Sequence, residues 1–141
     1  MKQWTFNGKD YFLKMKKIIT SKNAPAPIGP YNQAILSGNT LYTSGQIAIN
    51  PKTNELVISS FAAETKQVME NMKAVLEAAE MTFENVVKTS IFISDMNNFA
   101  AINEVYGQYF NAETAPARET VEVANLPKFV NVEISMIAIK D

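Results

Sequence analysis

The fold and the chemistry of this chain both develop from one stretch, Thr114-Ala-Pro-Ala-Arg118-Glu-Thr-Val-Glu-Val123. Pro116 cannot continue a helix, so any helix before it ends there. A β-prone run follows at once and begins on Arg118, the single arginine of the chain. A second β-prone run over residues 130–139 carries Glu133. We therefore predict that the fold ends in two strands, each with one charged side chain suited to chemistry.

The composition limits what that chemistry can be, because the 141 residues include no histidine and no cysteine. Catalysis by Ser-His or Cys-His pairs, disulfides and cysteine zinc sites are excluded. No Asp-x-Asp-x-Asp-Gly run supplies an all-oxygen metal site, and no glycine-rich phosphate-binding motif occurs. Any catalysis therefore depends on residues such as Arg118 and Glu133, and we expect neither a metal nor a nucleotide.

Length and charge predict one globular domain that binds neither nucleic acid nor a membrane. The hydrophobic content of 47% and the net charge of -1 exclude a disordered chain. The same charge balance gives no reason to expect nucleic acid or an anionic membrane as partner. No run approaches the roughly 20 apolar residues that a membrane span needs.

Residues 1–14 are interpreted as an N-terminal extension, with Met15 as the biological start and residues 15–141 as a single domain. An extra edge strand is the alternative for residues 1–14. The segment lacks the continuous apolar region and small-residue cleavage site of a signal peptide. We therefore expect a cytoplasmic protein.

Apolar periodicity predicts the order β-β-β-α-β-α-β-β, which is typical of an α+β sheet with two helices packed on one face. The strands are predicted over residues 17–20, 31–36, 40–48, 86–93, 118–123 and 130–139. The helices are predicted from a cap at Ser59 or Ser60 to about Met81, and from a cap at Asn97 or Asn98 to Phe110. The first helix turns one stripe inward, namely Phe61, Thr65, Val68, Met72, Val75, Leu76 and Ala79, and leaves Gln67, Glu70, Asn71 and Lys73 off it.

Two loop features bear on a binding site. The stretch Ala24-Pro-Ala-Pro-Ile-Gly-Pro30 is a rigid, extended connector, and it is read equally as a linker or as the wall of a binding loop. Gly45 inside a predicted strand indicates a bulge or a close approach to another backbone or a ligand.

Arg118 and Glu133 come together only if the last two strands form a local hairpin. A hairpin that pairs Val123 with Val130 sets Thr120 opposite Glu133 and Arg118 on the diagonal. Near the arginine, the glutamate is expected to be ionised, with its pKa lowered by the cation. Such a pair can hold a small acid by its carboxylate and orient a water beside it. The alternative is a structural ion pair, and from these two residues alone it is favoured over catalysis.

The sequence resembles the Rid/YjgF family from residue 15 to its end. The motifs that carry the resemblance are Asn23-Ala-Pro-Ala-Pro-Ile-Gly-Pro-Tyr31-Asn-Gln-Ala, Thr43-Ser44-Gly45-Gln46-Ile47, Asn50-Pro-Lys-Thr, Asn98-Phe-Ala-Ala-Ile-Asn103, Pro116-Ala-Arg118, Val121-Glu-Val-Ala-Asn-Leu-Pro-Lys128 and Val132-Glu133-Ile. The resemblance implies a chorismate-mutase-like mixed sheet, assembled as a homotrimer with clefts between subunits.

The resemblance also implies an activity, the hydrolytic deamination of reactive 2-imino and enamine acids such as 2-iminobutanoate and 2-iminopropanoate to 2-keto acids and ammonia. These substrates are released by pyridoxal-phosphate enzymes, and no metal or organic cofactor is needed. Carried over to this sequence, Arg118 holds the substrate carboxylate and Glu133 positions or activates the water. The implied substrate-binding residues are Tyr31, Ser44, Gly45, Asn103 and Thr120. Thr120 stands where many relatives carry a cysteine, so a thiol cannot be essential here.

Two rival functions remain open at this point. One is a non-catalytic, regulatory trimer that senses small 2-keto or amino acids in the same clefts. The other is a ribonuclease or translation inhibitor, which the net charge of -1, the missing histidine and the lack of a basic cluster disfavour.

Overall fold

The structure is a computed structural model, and it describes residues 16–141. Its strands are β1 (Lys16–Ile19), β2 (Ala34–Ser37), β3 (Thr40–Thr43), β4 (Val86–Ile93), β5 (Ala117–Glu122) and β6 (Val132–Ile139). Its α-helices are α1 (Phe61–Ala78) and α2 (Phe99–Gly107). Single 3₁₀ turns occupy Phe83–Asn85, Met96–Asn98 and Pro127–Phe129. The order of elements is the expected one, and the proposed extension, residues 1–14, lies outside the described residues.

The six strands form one mixed sheet in the order β1-β2-β3-β6-β4-β5. All neighbours are antiparallel except β4 and β5, which are parallel. A parallel pair needs a crossover, and α2 provides it between these two strands. The predicted α+β sheet with two helices is confirmed. The hairpin of the last two strands is wrong, because β4 lies between β5 and β6.

The core lies between one face of the sheet and the two helices. Strand residues Leu41, Ile91, Ile134 and Met136 pack there against Val68, Met72 and Leu76 of α1 and Ile102 of α2. The opposite face of the sheet carries no helix among the described residues. It is here called the open face, and apolar side chains on it are exposed, including Ile18, Tyr42, Val121 and Ile139.

Ser60 and Asn98 occupy the N-cap positions of α1 and α2, as predicted, but only Ser60 caps its helix with a side-chain hydrogen bond. Ser60 caps α1, because its side chain accepts a hydrogen bond from the Ala63 amide at 3.0 Å. Asn98 makes no side-chain cap for α2. Instead Asp95 caps the preceding 3₁₀ turn, accepting from the Asn97 amide at 2.9 Å. An acidic cap one turn earlier therefore begins this helical segment.

Asn71 corrects the expected stripe of α1, because it is only 1% exposed although it was placed off the buried face. Its amide nitrogen donates to the carbonyl oxygens of Ile47 and Ile49, at 3.1 and 2.9 Å. These carbonyls belong to a segment without regular strand pairing, so a buried side-chain donor replaces a ladder bond. Periodicity alone cannot separate such a buried amide from a solvated one.

Strand β3 is shorter than predicted and ends at Thr43 rather than at residue 48. Tyr42 pairs with Ile137 and Gln46 pairs with Ile134, so the β3 side has one residue more than the β6 side. The Thr43 hydroxyl accepts from the Met136 amide at 2.9 Å within this interval. The extra residue produces the bulge that Gly45 predicted.

Candidate active site

A cavity of about 310 Å³ opens beside this bulge. It is lined by Pro25, Ala26, Ile28, Tyr31, Gln33, Ser44, Gly45, Gln46, Ile47, Ile49, Pro127 and Glu133. Four of the residues expected at the site, Tyr31, Ser44, Gly45 and Glu133, are thus brought together. Apolar walls with a few converging polar groups are what a small-molecule site usually presents.

The carboxylate of Glu133 lies directly over Gly45. A Cβ atom on residue 45 would overlap Glu133 Oε1 and would come within 2.7 Å of its Cδ and 2.8 Å of its Cγ. The backbones beside them are fixed to each other, because Gln46 N donates to Ile134 O at 2.8 Å and Ile134 N to Gln46 O at 3.1 Å. Only glycine leaves room for the carboxylate at this point.

Burial raises the pKa of the Glu133 carboxyl above its ordinary value. Desolvation disfavours the charged form of a carboxyl group. The expected lowering by a nearby Arg118 is wrong within one chain, since no cation contributes to the shift. A raised pKa brings a carboxylate closer to the basicity that proton abstraction near neutral pH requires.

The proline-rich stretch forms one wall of the cavity, through Pro25, Ala26 and Ile28. Gln33, only 3% exposed, holds this wall from inside. Its amide nitrogen donates to the carbonyls of Ser21, Ala24 and Pro25, at 3.1, 3.3 and 2.8 Å. Of the two readings of this stretch, the geometry favours the binding-loop wall.

The hydroxyl of Tyr31 bonds to the wall, and that of Ser44 bonds to the backbone just after Tyr31. The Tyr31 hydroxyl accepts from the Ile28 amide at 3.3 Å. The Ser44 hydroxyl donates to the Asn32 carbonyl at 2.6 Å. Each oxygen keeps capacity for a second hydrogen bond toward a ligand.

Arg118 lies elsewhere, on the edge strand β5, with its side chain exposed. Its Nη1 donates to Asn103 Oδ1 at 2.7 Å. Its Cζ lies 5.7 Å from the ring centroid of Phe99 and 5.0 Å from that of Tyr106. Three residues of α2 therefore hold the guanidinium, and Asn103 is not the solvated amide that is the default for a helical asparagine.

Arg118 and Glu133 lie on opposite faces of the sheet. In the register, Arg118 is beside the core residue Thr89, whereas Glu133 is beside Phe92 on the open face. Strands about 4.8 Å apart with a rise of about 3.3 Å per residue place their Cα atoms roughly 14 Å apart. One chain therefore does not unite these two groups in one site.

Thr120 shares the face of Arg118, next to Ile91 in the register. Its hydroxyl is buried without a hydrogen-bond partner among the described residues. The hydroxyls of Thr89 and Tyr106 are also buried without a hydrogen bond of good geometry. Burial raises the pKa of the Tyr106 phenol and outweighs the lowering effect of the neighbouring Thr89 hydroxyl. Of the seven predicted site residues, four line the cavity, namely Tyr31, Ser44, Gly45 and Glu133. The other three, Arg118, Asn103 and Thr120, lie together near α2.

Several cavity residues were missed by sequence reasoning, namely Gln33, Ile47, Ile49 and Pro127. Gln33 sits in a segment read as a strand, where nothing separates a buried amide from an exposed one. Pro127 precedes Lys128 and Phe129, which both have positive φ, 56° and 54°. A Leu-Pro-Lys run signals a turn, but it does not show that the turn borders a cavity.

No group of three or more acidic residues within residues 16–141 is arranged to hold a metal ion. In the same part of the chain, no helix is both long enough and apolar enough to cross a membrane.

Comparison with known proteins identifies the family. The Endoribonuclease L-PSP family matches residues 21–140. A RutC family protein of Pyrococcus horikoshii is 52% identical over 90% of this chain and all of its own. The chain belongs to the Rid/YjgF family. The 2-iminobutanoate/2-iminopropanoate deaminase of Escherichia coli, another relative, is 48% identical over 89% of this chain and 99% of its own.

Solved Rid/YjgF structures have the same fold. A Rid family protein of Yersinia pestis superposes with a TM-score of 0.86 at 49% identity, covering 89% of this chain and 99% of its own. Escherichia coli TdcF with bound serine superposes with a TM-score of 0.84 at 42% identity, covering 89% and 100%. The six strands and two helices described above are therefore those of Rid/YjgF proteins.

Proposed function

We propose that the protein hydrolyses reactive 2-imino acids, 2-iminobutanoate and 2-iminopropanoate among them, to 2-keto acids and ammonia. The observation that carries the proposal is the half-buried Glu133 carboxylate, held over Gly45 in a small, mostly apolar cavity. A relative 48% identical bears the name of this deaminase, which supports the same activity. The substrates arise from pyridoxal-phosphate enzymes, which are therefore the proposed functional partners.

The reaction needs only a weak general base from the protein, because an iminium carbon is already electrophilic. Water forms a bond to C2 of the substrate, the C=N electron pair moves to nitrogen, and Glu133 accepts the proton that water loses. Glu133 then returns the proton to the amino nitrogen of the carbinolamine. The C–N bond breaks, the hydroxyl becomes the keto group, and its proton leaves with ammonia as ammonium.

Arg118 is proposed to bind the substrate carboxylate. A planar guanidinium matches a carboxylate with two parallel hydrogen bonds. The contacts from Asn103, Phe99 and Tyr106 hold its plane before substrate arrives. Preorganised donors lose less conformational entropy on binding.

A homotrimer with clefts between subunits is proposed as the means of uniting the two groups. Arg118 and Glu133 lie on opposite faces of one sheet, so a neighbouring subunit must supply one of them. The exposed apolar side chains of the open face favour burial against another subunit. Analytical ultracentrifugation should show a trimer, and a stable monomer with full activity would contradict this arrangement.

The activity is tested by coupling threonine dehydratase to the protein and following 2-oxobutanoate release while semicarbazide competes for the imine. Wild-type protein should accelerate ketoacid release. Arg118→Ala should lower kcat/KM by about 100-fold, equivalent to about 2.7 kcal/mol, because a charge-assisted bidentate contact is lost. Lys52→Ala removes an exposed cation that does not line the cavity and serves as the control. No acceleration by wild type, or full acceleration by Arg118→Ala, would refute the proposal.

A non-catalytic sensor of small acids is the second candidate, favoured by the serine bound to TdcF. It shares the proposed carboxylate contact and omits the water step. Calorimetry with 2-oxobutanoate, beside the coupled assay, separates the two. Saturable binding without imine turnover supports the sensor.

A further inference from the structure

We propose that Glu64 is a positioning residue that sets the register of β6 and thereby places Glu133 over Gly45. The inference rests on the proposed imine hydrolysis, in which Glu133 handles the water. Glu64 lies in the first turn of α1 and is 0% exposed. It is an acidic side chain in the core, and the reaction as described makes no use of it.

The Glu64 carboxylate binds the chain immediately before Glu133. Its Oε1 accepts from the amides of Asn131 and Val132, at 2.7 and 3.1 Å. Its Oε2 accepts from Asn131 Nδ2 at 2.9 Å. Three donors thus converge on one carboxylate, and two of them are successive backbone amides at the start of β6.

No lysine or arginine within residues 16–141 forms an ion pair with Glu64, since the ion pairs there are Lys88–Glu119 and Lys140–Glu80. A buried carboxylate without a cation is costly unless hydrogen bonds satisfy it. The three donors supply those bonds, and the N-terminal end of α1 adds a favourable dipole. The carboxylate therefore holds β6 where all three donors reach it, and a shifted strand leaves the charge unsatisfied.

Register matters here because alternate residues of β6 face opposite sides. Val132 and Ile134 are fully buried in the core, and Glu133 between them faces the open side. A slip of one residue would carry Glu133 into the core and take its carboxylate away from Gly45. Glu64 fixes the strand before Glu133, and the backbone pair of Gln46 and Ile134 fixes it after.

Three substitutions at Glu64 grade the effect. Glu64→Gln keeps one oxygen for both backbone amides and should keep kcat within about threefold of wild type. Glu64→Asp retracts the carboxylate by one methylene, and kcat should fall by about 10-fold. Glu64→Leu removes the carboxylate, and kcat should fall by about 100-fold, the loss that a misplacement of a reacting group by about 1 Å can cause. KM should change by less than about threefold in all three variants. The reason is that Arg118, which is proposed to bind the substrate carboxylate, lies on the sheet face opposite Glu133 and is not altered.

Val75→Ala is the matched control. Val75 lies in the same helix, is 0% exposed and is far from the start of β6. Its replacement by alanine opens a cavity there and lowers the melting temperature without touching Glu133. A kcat loss in Val75→Ala equal to that in Glu64→Asp at the same loss of melting temperature would overturn the inference. An unchanged kcat in Glu64→Asp would overturn it too, even where Glu64→Leu does not fold.

A readout independent of turnover separates this inference from the proposed function. Carbon-13 NMR titration of the Glu133 carboxyl should give a lower midpoint in Glu64→Asp than in wild type, because the carboxylate leaves the enclosure that raises its pKa. If wild type turns over no imine, the proposed function fails, but the titration still shows whether Glu64 positions Glu133. An identical Glu133 midpoint in both proteins refutes the positioning role.

Discussion

At Gly45, one added methyl group should lower catalysis while the protein still folds. Gly45→Ala places a Cβ atom where Glu133 Oε1 now lies, so the carboxylate must turn away. We expect kcat to fall by about 100-fold, since a displacement of about 1 Å at a reacting group has that effect.

The measurement is the coupled imine assay together with a circular-dichroism melt. Gly107→Ala is the matched control, because a Cβ there meets nothing within 4 Å. It should keep wild-type kcat. Wild-type kcat in Gly45→Ala would mean that Glu133 does not act from its observed position.

The pH dependence of the reaction should report Glu133. Only the ionised carboxylate accepts a proton, so the enzyme-dependent kcat/KM is present above its pKa and is lost as the pH falls through it. Burial within the chain raises that pKa, whereas an Arg118 guanidinium from the neighbouring subunit lowers it in the proposed trimer, so the position of the acid limb reports which of the two effects dominates. The residual rate of Glu133→Gln should lack this limb. An acid limb that persists unchanged in Glu133→Gln would contradict the role given to the buried carboxyl.

Asn71 holds two cavity-lining residues, Ile47 and Ile49, through hydrogen bonds to their carbonyls. Asn71→Leu leaves the buried Ile49 carbonyl without its donor, while the Ile47 carbonyl keeps its bond from the Ile49 amide at 2.8 Å. An unsatisfied buried carbonyl costs about 1–3 kcal/mol and the lost bond to Ile47 about 1 kcal/mol, so the free energy of unfolding should fall by about 2–4 kcal/mol. Urea denaturation measures the change.

Gln67→Leu is the companion variant. It removes only the 2.8 Å bond from Gln67 to the Asn71 side-chain oxygen and leaves both carbonyls satisfied. Its cost should stay below about 1.5 kcal/mol. Equal losses in the two variants would show that the carbonyls do not depend on Asn71.

The secondary structure was largely predictable because local patterns determine it. Alternation placed β4 at residues 86–93 without error, and the Ser60 cap placed α1. The pairing of β5 was not predictable, because nothing local in residues 117–122 shows that α2 carries the chain across to lie parallel to β4. Contacts between distant segments, such as that of Glu64 with Asn131, leave no periodic trace in a single sequence.

The residues named from motifs divide between two places in one chain. Tyr31, Ser44, Gly45 and Glu133 line one cavity, whereas Arg118, Asn103 and Thr120 lie outside it. The partnership of Arg118 with Glu133 required a hairpin, and the intervening β4 removed it. A motif states which residues occur and leaves open which face of a sheet each one occupies.

At the level of assembly, the placement of Arg118 and Glu133 on opposite faces predicts complementation between inactive chains. In the proposed head-to-tail trimer, each site would take Arg118 from one subunit and Glu133 from the next. Arg118→Ala and Glu133→Gln should each be nearly inactive alone. Mixed at equal amounts and allowed to exchange subunits, they should recover about a quarter of wild-type activity, the fraction of interfaces with both intact residues.

The measurement is the coupled assay before and after exchange under mild denaturant. The double variant mixed with wild type gives the reference for random exchange. Recovery no greater than the sum of the separate variants would place each complete site within one chain.

The same geometry has a genetic consequence. In the proposed trimer, a chain with an inactivating substitution in one half of the site still supplies its intact half to a neighbour. Two defective alleles expressed together would then restore activity where neither does alone, so the unit on which selection acts is the interface and not the polypeptide.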